Sequence, residues 1–174
     1  MAKHFNRILN LLVIVVAALL ASHVSAAQDR TRDYVEQVKD VAMRQAAAHG
    51  IPVSIILAQA ILESGSGTSY LARVANNHFG IKCGRSWASR TVLKNDDRPA
   101  ECFRAYDTFE QSFEDHSMVL VNGRRYGFLF SYPMADYKSW ARGLQRAGYA
   151  TSRTYARDLI ACIERYRLNS YEWR

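Results

Sequence analysis

Glu63 is the residue best suited to do chemistry in this chain. It ends the most apolar predicted helix, 52–63, and Ser64-Gly65-Ser66-Gly67 follows it. The C-terminus of a helix carries partial negative charge and apolar neighbours exclude water, so both effects raise the pKa of a carboxyl group there. An acid that stays protonated near neutral pH can donate its proton to a leaving oxygen. Position alone fits equally well a surface Glu that pairs with a Lys or Arg.

The elements that would position Glu63 are mostly helical. Segment 52–63 is apolar on nearly all sides, which predicts a buried central helix. Between 79 and 106, short β-prone pieces separated by turn residues predict a small β-hairpin lobe. A capping box of Thr108 and Gln111 is expected to begin the helix that follows the hairpin. The fold class is therefore predicted to be α+β. Periodicity predicts five further helices, at about 31–49, 69–75, 108–122, 136–147 and 154–166.

The composition is that of one globular domain. The chain has 174 residues, of which 49% are apolar and 11% aromatic. That apolar content can form a core and excludes an intrinsically disordered chain. The sequence contains no heptad or solenoid repeat, which excludes fibrous and repeat architectures. Its net charge of +7 is scattered along the chain, and scattered charge argues against a nucleic-acid partner.

The first 26 residues have the pattern of a secretory signal peptide. A basic start precedes an apolar run, 8–20, and Val24-Ser25-Ala26 offers a cleavage site. Because the run is short for a membrane span, we expect cleavage after Ala26 and no stable membrane insertion, with an uncleaved anchor as the alternative. Cleavage lowers the Lys+Arg count from 23 to 21 against 16 Asp+Glu, so the exported chain 27–174 carries +5 and favours anionic surfaces.

The three cysteines are expected to have two different roles. Cys83 and Cys102 flank the predicted hairpin, and an oxidising compartment would permit a disulfide between them. Such a bond closes a loop of roughly 20 residues and contributes about 3 kcal/mol in the chain-entropy model. Cys162 lies in an apolar helical pattern and is expected to be a small buried side chain. No Cys or His spacing matches a zinc site, so no metal and no cofactor are predicted.

Several ordered motifs resemble those of glycoside hydrolase family 73, the bacterial peptidoglycan-cleaving β-N-acetylglucosaminidases that include autolysins and a flagellar wall-cutting domain. The similarity extends from about residue 33 to 166, nearly all of the exported chain. The resemblance implies a lysozyme-like fold with a helical lobe, a β-hairpin lobe and a sugar groove between them. The motifs that carry it are 56–67, 71–72, 76–82, 103–107, 125–126, 147–151 and 155–156.

The resemblance also implies roles for individual residues. Glu63 matches the family's general acid, and the expected reaction is cleavage of the β-1,4 bond between N-acetylglucosamine and N-acetylmuramic acid. Tyr149 matches a tyrosine beside the scissile sugar, where a phenol can support an acetamido group or polarise a water molecule. A tyrosine packed between two helices is the alternative for this position.

A second carboxylate is not evident where many family members have one. The comparable strand, 90–94, contains no acid. Asp96, Asp97 and Glu101 are the nearest candidates, and Asp97 ranks first because a turn tip could reach across a groove. With such an acid, water can attack with inversion, whereas without one the substrate's own N-acetyl oxygen can act as the nucleophile. We favour the substrate-assisted route.

A sugar groove requires aromatic faces for stacking and amides for N-acetyl recognition. Phe79 and Tyr106 fit a core position equally well. The expected partner is the glycan strand of peptidoglycan, bound by a monomer outside the cytoplasm. A lytic transglycosylase and a non-catalytic wall-binding module of the same fold remain alternatives. The candidate groove residues are Asn77, Phe79, Trp87, Tyr106, Tyr126 and Tyr155.

Overall fold

A computed structural model describes residues 27–84, 87–96 and 98–172. The predicted signal peptide, 1–26, and Asp97 lie outside these residues. The chain divides into two compact units, 1–33 and 34–174. In the first unit the described residues, 27–33, are helical. In the second unit helix α1 covers residues 34–49.

Helix α2 (Val53–Ser64) is the centre of the second unit. Its apolar residues are fully buried over most of its length because the helices Tyr137–Arg146 and Tyr155–Tyr166 and the 3-10 helix Leu168–Tyr171 pack around it. The carboxylate of Glu172 accepts hydrogen bonds from the backbone N–H groups of Val53 and Ser54, at 3.1 and 2.9 Å, and so caps the N-terminus. Gly65 ends the helix in the left-handed conformation, with φ of 57°.

The hairpin lobe contains two short antiparallel strands, β1 (Thr91–Lys94) and β2 (Glu101–Arg104). Their register pairs Thr91 with Arg104 and Lys94 with Glu101. Cys83 and Cys102 form a disulfide with Cα atoms 5.5 Å apart, which ties the segment before β1 to β2. The short helix α3 (Tyr70–Ala75), which begins at the predicted position, leads from α2 into this lobe.

The remaining helices follow the hairpin. Their bounds are α4 (Phe109–Asn122), a 3-10 helix (Arg124–Ser131), α5 (Tyr137–Arg146), α6 (Tyr155–Tyr166) and a last 3-10 helix (Leu168–Tyr171). The predicted capping box is wrong in its bonding, since the Thr108 side chain makes no cap bond and Gln111 instead accepts from the backbone N–H of Asp107 at 2.9 Å. The first 3-10 helix was not predicted. The mostly helical architecture with one small sheet confirms the α+β class. Within the described part of the chain, no helix has the length and apolar character needed to cross a membrane.

Candidate active site

Glu63 lies in the last turn of α2 and is half-buried. Its Oε1 accepts a hydrogen bond of 2.9 Å from the hydroxyl of Tyr155, the first residue of α6. Burial raises the pKa of Glu63 above its usual value, and the Tyr155 hydrogen bond opposes part of that rise. The arrangement is therefore that of a carboxylic acid that keeps its proton to a higher pH than an exposed Glu.

A buried chain of hydrogen bonds stands behind Glu63. Gln59 lies one helical turn earlier on α2 and donates through Nε2 to the Tyr155 hydroxyl oxygen at 3.0 Å. His116 of α4 contacts Gln59 Oε1 through Nε2 at 3.1 Å. Sequence analysis did not single out Gln59 or assign a role to His116. The available signal was a polar Gln in the otherwise apolar centre of α2, four residues before Glu63 and hence on the same helix face.

Tyr149 lies beside these hydrogen-bonded side chains. Its ring stacks on Tyr155 with centroids 5.6 Å apart and an interplanar angle of 14°. Tyr126 and His116 contact the ring of Tyr149 from other sides, each with centroids 6.1 Å away. Burial, and after it the charge of Glu63, raises the pKa of Tyr149 well above its ordinary value. The hydroxyl therefore stays protonated, and none of the hydrogen bonds among the described residues engages it.

An open cavity of about 360 Å³ lies between the hairpin lobe and α4. Trp87 and Tyr106 supply its aromatic surface, with ring centroids 5.6 Å apart in an edge-on arrangement. Tyr106 also interacts electrostatically with Tyr149, whereas neither Glu63 nor Tyr149 lines the cavity. The polar side chains of the lining are Ser89, Asp107, Gln111, Glu114 and Asp115.

The walls of this cavity are held by ionic and cation–π contacts. Asp115 accepts two hydrogen bonds from Arg104 Nη1, at 2.7 and 2.8 Å, and one from the Tyr106 hydroxyl. The Arg104 guanidinium lies 4.7 Å from the centroid of the Trp87 ring. Arg104 therefore joins β2 to α4 and orients Trp87 at the cavity edge.

Asn77 and Phe79 do not face this cavity. Asn77 is 1% exposed, and its amide bonds to the carbonyls of Ile81 and Arg104 and to the backbone N–H of Ile81. Phe79 is 4% exposed and stacks on His116 with centroids 3.9 Å apart. Both side chains are therefore buried, where Asn77 bonds to the start of the hairpin and Phe79 stacks on His116, and direct sugar contact by these residues stays a prediction.

The candidates for a second carboxylate lie on the hairpin. Asp97 is outside the described residues. Glu101 accepts a hydrogen bond from Lys82 Nζ at 2.8 Å, and its side chain is 16% exposed. Asp96 Oδ2 lies 3.7 Å from Lys82 Nζ, and Asp96 Oδ1 lies 3.5 Å from Lys94 Nζ. Glu101 and Asp96 are therefore engaged in ion pairs with lysines, while Glu63 has a tyrosine as its partner.

The described residues contain no group of three or more His, Cys, Asp or Glu side chains that could hold a metal ion. His78 is buried, and its Nδ1 is 2.7 Å from the Tyr34 hydroxyl. Burial lowers the pKa of His78 to about 4.

Comparison with known proteins gives relatives that include peptidoglycan hydrolases and an exo-glucosaminidase. Peptidoglycan hydrolase FlgJ of Vibrio parahaemolyticus is 36% identical over 150 residues, which is 80% of this chain and 48% of the relative. Exo-glucosaminidase LytG of Bacillus subtilis is 37% identical over 134 residues, 71% of this chain and 47% of the relative. The chain therefore spans about half the length of these curated relatives.

The fold also matches a solved structure. The crystal structure of peptidoglycan hydrolase from Sphingomonas sp. A1 matches with a TM-score of 0.70 at 33% identity, covering 80% of this chain and 91% of that one. The family described as mannosyl-glycoprotein endo-beta-N-acetylglucosaminidase, Glucosaminidase, matches residues 39–168. This range includes Glu63, Tyr149 and both lobes. The chain belongs to the glucosaminidase family, glycoside hydrolase family 73, with its lysozyme-like fold.

Proposed function

We propose that this protein hydrolyses the β-1,4 bond between N-acetylglucosamine and N-acetylmuramic acid in peptidoglycan, with Glu63 as the general acid. The observation that carries the proposal is a half-buried carboxyl group with a raised pKa, held by Tyr155 at the end of a buried helix in a glucosaminidase-family chain. The names of two relatives, a peptidoglycan hydrolase and an exo-glucosaminidase, support the same substrate class.

Proton donation to the glycosidic oxygen would begin the reaction. As the bond breaks, positive charge develops at the anomeric carbon, and the acetamido oxygen of the same sugar attacks it to close an oxazoline ring. The Glu63 carboxylate left behind then takes a proton from the water that opens this ring. Tyr149, whose hydroxyl stays protonated and bonds to none of the described residues, would donate to the acetamido group or to that water.

The ionic partners of the hairpin acids favour this substrate-assisted route. A base that activates water must be free to accept a proton, and Lys82 occupies the carboxylate of Glu101. The anomeric configuration of the first product distinguishes the routes. Proton NMR of the fresh reducing end is expected to show retention, and an inverted product would require a general base such as Asp97 or Glu101.

The cavity of Trp87 and Tyr106 is proposed to bind a sugar of the glycan strand. Its volume of about 360 Å³ suits a saccharide ring, its aromatic surface suits stacking, and its polar lining suits hydroxyl and amide groups. Tyr126 and Tyr155 are buried and adjoin Tyr149, so we assign them to shaping the site. Cleavage of the leader after Ala26 would deliver a monomeric domain, 27–174, to the periplasm or cell wall.

Mass spectrometry of fragments released from purified sacculi tests the proposed bond. Fragments that end in reducing N-acetylglucosamine are expected. Fragments with 1,6-anhydromuramic ends would instead establish a lytic transglycosylase. Pelleting of the protein with sacculi and no released fragments would establish a wall-binding module, and either result would overturn the proposal.

A further inference from the structure

We propose that Gln59 and His116 are positioning residues that act through Tyr155 to hold Glu63 Oε1 as a hydrogen-bond acceptor and so reserve Oε2 for the transferable proton. This inference rests on the proposed function, because it assigns a direction to the proton that Glu63 donates. It is carried by the geometry of the buried hydrogen bonds and by one buried ring nitrogen that has no partner.

The direction of the hydrogen bonds is set at the far end, by His116. This side chain is fully buried, and its Nδ1 has no hydrogen-bond partner among the residues that the structure describes. A proton on Nδ1 would be a buried, unpaired donor, which is costly, so the proton belongs on Nε2, where Gln59 Oε1 accepts it at 3.1 Å. Burial also lowers the pKa of His116 to about 3, so the ring is neutral at physiological pH.

Gln59 passes this direction to Tyr155. Since its Oε1 faces His116, its Nε2 donates to the Tyr155 hydroxyl oxygen at 3.0 Å. The single hydroxyl hydrogen of Tyr155 is then left to donate to Glu63 Oε1 at 2.9 Å. An oxygen that accepts in this way is a poor site for the acid's own proton, which therefore occupies Oε2.

The rings around these side chains restrict their movement. Phe79 stacks on the His116 ring at 3.9 Å with an interplanar angle of 16°, and Tyr149 stacks on Tyr155. Gln59 itself is fully buried. Gln59 and His116 lie beyond Tyr155 in the hydrogen-bond chain, so they act on Glu63 through that hydroxyl.

The charged and titratable groups around the acid are few. Tyr155 of α6 donates a hydrogen bond to Glu63, and the charge of Glu63 raises the pKa of Tyr149. Tyr126, Arg125 and Tyr106 interact with Tyr149 in turn. The Tyr155 hydrogen bond lowers the pKa of Glu63 relative to burial alone. Its loss should therefore raise that pKa.

The test is a titration of the Glu63 carboxyl by carbon-13 NMR in the full chain, with Glu63→Gln used for assignment. In Tyr155→Phe the titration midpoint is expected to move upward by about one pH unit, the effect of losing a hydrogen bond to a charged group. Gln59→Met removes the hydrogen bonds of Gln59 to His116 and to Tyr155, and it should move the titration midpoint of Glu63 in the same direction. In the variant that combines Gln59→Met with Tyr155→Phe, the shift of the titration midpoint should not exceed that in Tyr155→Phe alone, because Gln59 acts through Tyr155.

Two further variants separate positioning from structure. His116→Phe removes the donor but keeps a ring against Phe79, and it should reproduce part of the shift if Gln59→Met fails to fold. Ser54→Ala, a control at another buried polar side chain of α2, should leave the midpoint unchanged. The high-pH limb of the activity profile on peptidoglycan should follow the NMR midpoint in every variant.

A lower melting temperature with an unmoved midpoint in Gln59→Met and His116→Phe would overturn the proposal and leave both residues a structural role only. The NMR titration requires no turnover. A wild-type protein without hydrolytic activity would therefore refute the proposed function, while the titration midpoints of Glu63 would still test the positioning roles of Gln59 and His116.

Discussion

The stacked tyrosines Tyr149 and Tyr155 have different roles at the site, because their hydroxyl groups differ in hydrogen bonding. The Tyr155 hydroxyl donates to Glu63 and accepts from Gln59, so it is fully engaged within the protein. Tyr149 has no such bond among the residues that the structure describes, and its raised pKa keeps it a donor. The substrate is therefore expected to meet Tyr149, while Tyr155 holds the acid in place.

Replacement of Tyr149 by Phe tests this division. The ring and its stacking on Tyr155 remain, so the melting temperature should change little. Loss of one hydrogen bond to a group that becomes charged in the reaction should lower kcat about 10- to 100-fold. Steady-state kinetics on solubilised glycan strands provide the measurement. An unchanged kcat would place Tyr149 outside the reaction.

The local sequence predicts part of this site. A Glu at the end of an apolar helix indicates a raised pKa, and the raised pKa of Glu63 agrees with it. The contact between Glu63 and Tyr155 joins residues 92 positions apart, and that between Gln59 and His116 joins residues 57 apart. Helical periodicity says which face of each helix is apolar but not which helices meet, so these partners required the tertiary structure.

At the scale of elements, the hairpin lobe depends on a small number of links. β1 is largely exposed, and Phe103 of β2 is the strand residue that is fully buried. The disulfide joins two segments within this lobe, and the Arg104–Asp115 ion pair connects the lobe to α4. A lobe with so little core is expected to rely on its covalent link.

Removal of the disulfide by a Cys83→Ser, Cys102→Ser double substitution is expected to destabilise the protein by about 3 kcal/mol. Trp87 lies inside the closed loop, so KM for glycan strands should rise more than kcat falls. Urea unfolding and kinetics measure both effects. Cys162→Ala, at the buried free cysteine of α6, serves as the control for cysteine loss elsewhere. A double variant with wild-type stability and KM would show that the lobe holds its shape without the bond.

Prediction from sequence was strongest for elements with a single dominant signal. Gly65 ends α2 where expected, and Ser69 caps α3 by accepting from the Ala72 N–H. The first 3-10 helix was missed because its apolar residues Phe128, Leu129 and Phe130 stand in one run after Gly127 and follow no helical period. The capping box at Thr108 failed because Gln111 bonds one residue earlier, at Asp107.

At the scale of the whole molecule, two buried histidines couple stability to pH. Burial lowers the pKa of His116 to about 3 and that of His78 to about 4, from an ordinary value of 6.5. Between pH 4 and 6.5 the unfolded chain therefore binds protons that the folded chain does not. In that window the two histidines make the unfolding free energy rise with pH, while Glu63, whose pKa is raised, opposes part of that rise.

Urea unfolding at a series of pH values measures this dependence. Each histidine should contribute a slope of up to about 1.4 kcal/mol per pH unit below pH 6. His116→Phe should give a shallower slope than the wild type because one of the two groups is gone. A stability curve that is flat or falls with pH over this range would contradict the neutral, buried state of these rings.

The most direct test of the account is the turnover of Glu63→Gln. The amide preserves the size of the side chain and an oxygen for Tyr155, but it has no proton to give. Release of reducing ends from peptidoglycan is expected to fall by a factor of about 10³, the upper part of the range for general acid catalysis, with the melting temperature nearly unchanged. Glu164 of α6 forms an exposed ion pair with Lys138 of α5, and a Glu164→Gln variant should keep full activity. A Glu63→Gln protein that releases reducing ends within about tenfold of the wild-type rate would contradict the account.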